Sequence, residues 1–229
     1  MFPSWGIPRE LAVQDSLILR VQSYKYFLET ANDCRYFFSF TKFFVTLHPV
    51  MTPLEYKQLK AFAKQDGALL SLLWIGSFIC YIKGLTYPSL GTAALLLIIS
   101  SPFFAANRLR HFRDVAREGA ITFLRGYAYT ILIFFYAGLL LAAVIYVYFA
   151  FIDDGFLLGK FNTLVHSAEG AKILDVYGMR REMEEGLKQL AEMRPIDFAL
   201  NMLTINITSG LFLGLPIAAL MKKEVIIKN

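Results

Sequence analysis

The residues with the most recognisable chemistry form an arginine-rich run in the middle of the chain, RLRHFRDVAR at 108–117. Guanidinium groups present forked N–H donors that match phosphate oxygens, so this run could bind anionic lipid headgroups or a phosphorylated lipid carrier. Basic residues beside an apolar segment also fix the orientation of a membrane protein, and we favour that simpler interpretation. The residues nominated for contact with anionic lipid or a partner are Arg108, Arg110, Arg113 and Arg117.

Other titratable residues lack the partners that catalysis or metal binding needs. His111 has no Ser, Cys or carboxylate pattern beside it. Asp153 and Asp154 are adjacent, so their side chains point in different directions, and we interpret them as a polar turn that ends a helix. Cys34 and Cys80 have no Cys or His at the spacing of metal ligands, and their different predicted depths argue against a disulfide. We expect no catalytic residue, no metal and no cofactor.

The last apolar segment carries a set of polar and small residues. Asn201, Thr204 and Thr208 fall on one helical stripe, and Gly210 and Gly214 form a GxxxG pattern. Such residues usually pack membrane helices together, which is the interpretation we favour, although a polar path or a ligand contact is the alternative. We expect no ionisable group deep in any span, which argues against an ion-coupled pump.

Long apolar runs must position these residues. The chain has 229 residues and 56% of them are hydrophobic, above the roughly 45–50% of soluble domains. About 20 apolar residues in a helix cross the hydrocarbon core, and the sequence offers four such spans, at about 66–86, 88–107, 126–152 and 197–221. The predicted fold is therefore all-α, an integral membrane four-helix bundle within a domain of residues 51–229.

The polar segment 153–195 between the last two spans is predicted to be external. Met183, Leu187, Leu190 and Met193 recur at helical spacing, with opposite charges four residues apart on the other face. We expect an external amphipathic helix here.

Basic residues cluster after the second and fourth spans, whereas the loop after the first span contains only Lys83. Both termini are therefore predicted to be cytoplasmic, although the external segment has six Lys and Arg residues of its own. The net charge of +5 fits a basic cytoplasmic face better than nucleic-acid binding.

Residues 1–50 contain neither a signal peptide nor a full span. Their Phe-rich stretch at 35–50 is short and is interrupted by Lys42. One interpretation is an N-terminal extension, interfacial or disordered, that is dispensable because the native protein starts at Met51. The other is a cytoplasmic or interfacial helix around Leu17 to Leu28 that packs on the bundle.

Several segments resemble a known family: KAFAKQDGALLSLLWIGSF, RLRHFRDVAREGAITFLRGYAYTILIFFYA, VYFAFIDDGFL and PIDFALNMLTINITSGLFLGLPIAALMKK. Over about 51–223 the chain is similar to the domain of unknown function four-one-nine-nine, an uncharacterised family of small bacterial inner-membrane proteins typical of Bacteroidota. The resemblance implies four helices in the inner membrane and transfers no active-site residue. It also implies genomic proximity to a glycosyltransferase that resembles polyprenyl-phosphate sugar synthases.

These observations lead to three functional hypotheses. The first is a non-catalytic inner-membrane protein, an accessory or scaffold in envelope lipid-linked glycan metabolism. The second is a subunit of a small oligomeric transporter or channel, and the least favoured is an enzyme that acts on lipid. The expected partners are membrane lipids, a membrane-associated glycosyltransferase and further copies of the chain, with no nucleic acid.

Overall fold

The computed structural model describes residues 51–223, and this part of the chain is all-α, as predicted. The predictions for residues 1–50, including Cys34 and the later start, lie outside the described residues. From Pro53 onward the chain belongs to one compact unit. The helices of the described part are α1 (Pro53–Gly84), α2 (Pro88–Ala116), α3 (Phe123–Phe151), α4 (Phe156–His166), α5 (Ala168–Tyr177), α6 (Arg180–Glu192) and α7 (Pro195–Met221).

Four of these helices, α1, α2, α3 and α7, are long and apolar enough to cross a membrane. They contain the four predicted spans to within two residues at the ends of the first and third, so the chain is a multi-pass helical membrane protein. With 27 to 32 residues each, they are about 40–48 Å long, which exceeds the roughly 30 Å of hydrocarbon. Helix α1 begins at Pro53 and α2 continues to Ala116, beyond the predicted spans, because backbone hydrogen bonding does not stop where the hydrocarbon ends.

Helix α3 is the central element of the bundle. It packs against α1 and against α7, and α1 also packs along α2. Among the four candidate spans α3 has the largest buried share, and side chains such as Ala128, Ile133 and Ala137 are fully enclosed. The longest charge-free run of the sequence therefore forms the core, with α1 and α7 packed on it and α2 packed mainly on α1.

The first two spans form the antiparallel hairpin that their short connection predicts. Tyr87 N donates to the carbonyl of Lys83 at 2.9 Å, and Pro88 begins α2. A Cβ atom at Gly84 would lie 2.6 Å from the backbone nitrogen of Gly91. The close approach of the two backbones at this corner thus requires glycine.

The amphipathic helix predicted in segment 153–195 is confirmed as α6 (Arg180–Glu192), and two further short helices, α4 and α5, precede it. Ser167 Oγ accepts a hydrogen bond of 3.0 Å from Gly170 N and so caps α5, and Gly178 ends α5 with φ of 64°. A serine N-cap and a left-handed glycine are the residues that divide helices in this way. Helix α6 contains the predicted amphipathic pattern and one ion pair of that pattern, Arg181 with Glu185 at 2.9 Å.

Candidate functional site: the arginine end

Four helix termini meet at one end of the bundle, where α1 and α3 begin and α2 and α7 end. Ile121 N donates to the carbonyl of Lys223 at 2.9 Å, and Lys223 N donates back at 3.1 Å. Arg113 Nη1 also donates to the carbonyl of Met221 at 3.2 Å. We call this region the arginine end and define it by the side chains of Arg108, Arg110, Arg113, Arg117 and Arg125.

A buried carboxylate joins three helices beside the arginine end. Asp66 on α1 is fully buried. Arg108 Nε on α2 donates to Asp66 Oδ1 at 2.7 Å, and the hydroxyl of Tyr129 on α3 donates to Oδ2. Both carboxylate oxygens therefore have a donor, and the guanidinium compensates the negative charge, which makes burial of this acid tolerable.

Asp66 is absent from the site residues predicted from the sequence. It is the first residue of the predicted span 66–86, where a charge is easily taken for a boundary residue, but α1 begins well before it. Phe112 stacks on the ring of Tyr129 with centroids 4.4 Å apart, which places the carboxylate beside an aromatic wall. Sequence reasoning had one signal for this site, because Asp66 is the only acid between Glu55 and Asp114.

A second acid, Glu55 in the first turn of α1, lies between two arginines. Arg117 Nη1 is 2.8 Å from Glu55 Oε1, and Arg125 Nη2 is 3.1 Å from Oε2. The three side chains are 21–25% exposed, so this bridge lies at the rim of the bundle. Two guanidiniums and one carboxylate leave one positive charge in excess.

The four nominated arginines have different surroundings. Arg108 holds Asp66 and Arg117 holds Glu55, and both side chains are mostly buried. Arg113 is 14% exposed and donates from Nε to Asp114 at 2.8 Å. Arg110 is 67% exposed, with its Nε atom 3.8 Å from Asp114. The sequence could not assign these roles, because each acidic partner except Asp114 lies on a different helix.

The polar and small residues of α7 divide between two sides of the helix. A Cβ atom at Gly210 would lie 2.7 Å from Phe134 Cβ, and one at Gly214 would lie 3.0 Å from the Tyr127 ring, so both glycines face α3. The three polar residues nominated with them lie elsewhere on the helix. Asn201 is exposed, and Thr204 and Thr208 are half-buried.

The remaining titratable candidates are His111 and Asp153. His111 is exposed. Asp153 stabilises the start of α4, because its Oδ1 atom accepts a hydrogen bond of 3.3 Å from Leu157 N. A cleft of about 170 Å³ lies beside Asp153, between stacked Phe149 and Phe198 and the end of α6. Within residues 51–223, no three His, Cys, Asp or Glu side chains converge as metal ligands would.

Comparison with known proteins gives one result. A family model described as "Protein of unknown function (DUF4199)" matches residues 65–223. This confirms the family resemblance seen in the sequence. No curated protein and no solved structure matches the chain.

Proposed function

The chain belongs to the DUF4199 family, and on that premise we propose that it is a non-catalytic accessory or scaffold protein of the bacterial inner membrane. In this proposal both termini are cytoplasmic. The arginine end binds the phosphate of anionic lipids and of lipid-linked glycan intermediates, and it positions a membrane-associated glycosyltransferase that acts on them.

The observation that carries the proposal is the rigid basic rim around Glu55. Arg125 directly precedes the charge-free run 126–152, which puts its guanidinium at the level of lipid headgroups. The side chains of Arg117 and Arg125 are 21% and 22% exposed, so both reach the surface of the bundle. A phosphate oxygen is an acceptor that suits guanidinium donors at this surface, because Arg–phosphate hydrogen bonds are charge-assisted.

Exposed basic side chains also lie on α1 and α2, the helices at whose ends Glu55 and Arg117 of this rim lie. Lys57 and Lys64 on α1 and Arg110 on α2 are exposed. Each basic residue near an anionic surface contributes about 1 kcal/mol of attraction. The glycosyltransferase and the glycan substrate rest on the family resemblance, and no residue of this chain specifies them.

Lipid binding is tested by thermal unfolding of the full chain in neutral detergent, titrated with phosphatidylglycerol or phosphatidylcholine. A ligand that binds only the folded state raises its stability, so phosphatidylglycerol should raise Tm more. Replacing Lys57, Lys64 and Arg110 by Gln should remove most of that difference. The matched control replaces Lys172, Arg181 and Lys188 by Gln, away from the arginine end, and should keep it. Equal shifts with both lipids would refute the headgroup site.

The scaffold role is tested by gentle crosslinking and pull-down from native membranes. A glycosyltransferase should co-purify with the wild-type chain and be depleted when Lys57, Lys64 and Arg110 are replaced by Gln. Recovery of no protein except further copies of the chain would contradict the scaffold.

The alternative function is a subunit of a small oligomeric transporter or channel. It is favoured by the polar side chains of Asn201, Thr204 and Thr208 away from the α3 contact, since a polar path needs such groups. A solute-flux assay in liposomes distinguishes this function, because a scaffold alone would give no flux above that of empty liposomes.

A further inference from the structure

Three polar side chains form a stripe on the outer side of α7, and we call Asn201, Thr204 and Thr208 the polar stripe. At 3.6 residues per turn, the stripe lies about 150° around the helix from the face that packs on α3. That packed face contains Asn206 and Gly210, both buried. The stripe therefore points away from the central helix.

The polar stripe lies at membrane depth. Thr208 is near the middle of the 27-residue helix, and Asn201 is two turns closer to its start. Two threonines in other helices donate to the carbonyl four residues earlier, Thr130 to Gly126 at 3.0 Å and Thr163 to Gly159 at 2.8 Å. Within residues 51–223, no side-chain hydrogen bond of this or any other kind is formed by the polar stripe.

Unpaired amide and hydroxyl groups are unfavourable in hydrocarbon, which offers neither donors nor acceptors. The neighbouring outer positions of the same helix match lipid well, with Ile205 57% and Phe212 71% exposed. The stripe is thus a local departure from an otherwise apolar outer surface. Interhelical hydrogen bonding is the usual use of Asn and Thr in such a position.

We propose that the polar stripe is the contact between two copies of this chain. Copies inserted in the same orientation place their α7 helices parallel, so a twofold axis along the membrane normal brings identical residues together. The Asn201 amide both donates and accepts, and so does each threonine hydroxyl. The stripe is therefore complementary to itself, so the same stripe on a second copy can supply the donors and acceptors that it needs.

This inference does not depend on the proposed function and is tested in liposomes. Energy transfer between donor- and acceptor-labelled full-length chains is measured over a dilution series in lipid. The wild type should associate, and the variant Asn201→Leu, Thr204→Val, Thr208→Val should have a Kd roughly tenfold or more higher. That change is what two or three interhelical hydrogen bonds of about 0.6 kcal/mol each would give.

The matched control, Ile205→Val with Phe212→Leu, changes the neighbouring apolar positions and should leave the Kd unchanged. The stripe variant places apolar groups toward lipid, so it should retain wild-type helicity. Its Tm should equal that of the wild type at dilutions where the wild type is monomeric, which separates lost association from lost folding. A second readout uses Thr204→Cys in a chain whose Cys34 and Cys80 are alanine, and oxidation should give a disulfide-linked dimer. A wild type that is monomeric at every dilution, a stripe variant with unchanged Kd, or association only with a different protein would overturn the proposal.

Discussion

At the residue scale, the arginine end contains acidic side chains whose burial would be unfavourable without their basic partners. Asp66 is fully buried and has Arg108 as its counter-charge, and Tyr129 needs an acceptor because its own side chain is fully buried. Together the three satisfy one another and connect α1, α2 and α3. The contribution of each residue to stability therefore depends on the other two. Removing one partner of the ion pair should destabilise the protein by more than the intact pair stabilises it, because the remaining charge stays buried without a partner.

Asp66→Asn should destabilise the protein by about 3–5 kcal/mol, because it leaves the Arg108 guanidinium without a counter-charge in a mostly buried position. Equilibrium unfolding of the full chain in detergent or bilayers measures the change.

The matched control for this variant is Asp114→Asn, which removes a 47% exposed acid that also pairs with arginine. It should change stability much less than Asp66→Asn does, because solvent screens an exposed ion pair. The double variant Asp66→Asn, Arg108→Met should recover part of the loss, because the unpaired charge is gone. If Asp66→Asn costs no more than Asp114→Asn, the buried pair has no structural role.

At the element scale, α7 has two distinct faces. Gly210 and Gly214 let its backbone approach α3, with no room for a side chain against Phe134 and Tyr127. The opposite side carries the polar stripe. Small residues on one face and polar residues on the other allow one helix to pack within the chain and still offer an outward contact.

Replacing Gly210 and Gly214 together by Ile should weaken the α3–α7 packing by roughly 1–2 kcal/mol or more, because both new side chains meet α3. Thermal stability in detergent and in bilayers reports this loss.

Gly76→Ala in α1 serves as the control, since a Cβ there meets nothing within 4 Å. Its stability should be equal to or slightly above that of the wild type, because alanine favours helix. Equal stability of the Ile variant and the control would contradict a close α3–α7 contact.

At the scale of the whole molecule, four spans return the chain to the side on which the first span began. The basic residues near α2 and α7 favour the cytoplasm as that side. A fluorescent protein fused after Asn229 should therefore fluoresce, and an alkaline phosphatase fused there should be inactive. High phosphatase activity at this position would reverse the predicted orientation.

Removing Arg108, Arg110 and Arg113 together would be an ambiguous test of this orientation. Arg108 contacts Asp66, so the triple variant would also leave a buried carboxylate unpaired. Arg110→Ala is the cleaner test, since its side chain is largely exposed. It should leave the fold unchanged and weaken only the orientation signal.

The sequence by itself determined the class of the protein, its four apolar helices and its family. Apolar length and charge placement are local properties, so a run such as 126–152 predicts a span whatever surrounds it. The amphipathic spacing of residues 183–193 is equally local, and it predicted α6. The helix boundaries at Ser167 and Gly178 were not predicted, although capping residues mark both.

Only the tertiary structure decided which residues meet. Asp66 pairs with Arg108 and Tyr129, which are 42 and 63 residues away, and no spacing rule connects them. Likewise, Gly210 and Thr208 are two residues apart, yet one packs on α3 and the other faces outward. A helical pattern fixes which residues share a face, but the identity of the helix opposite that face depends on how all the helices pack together.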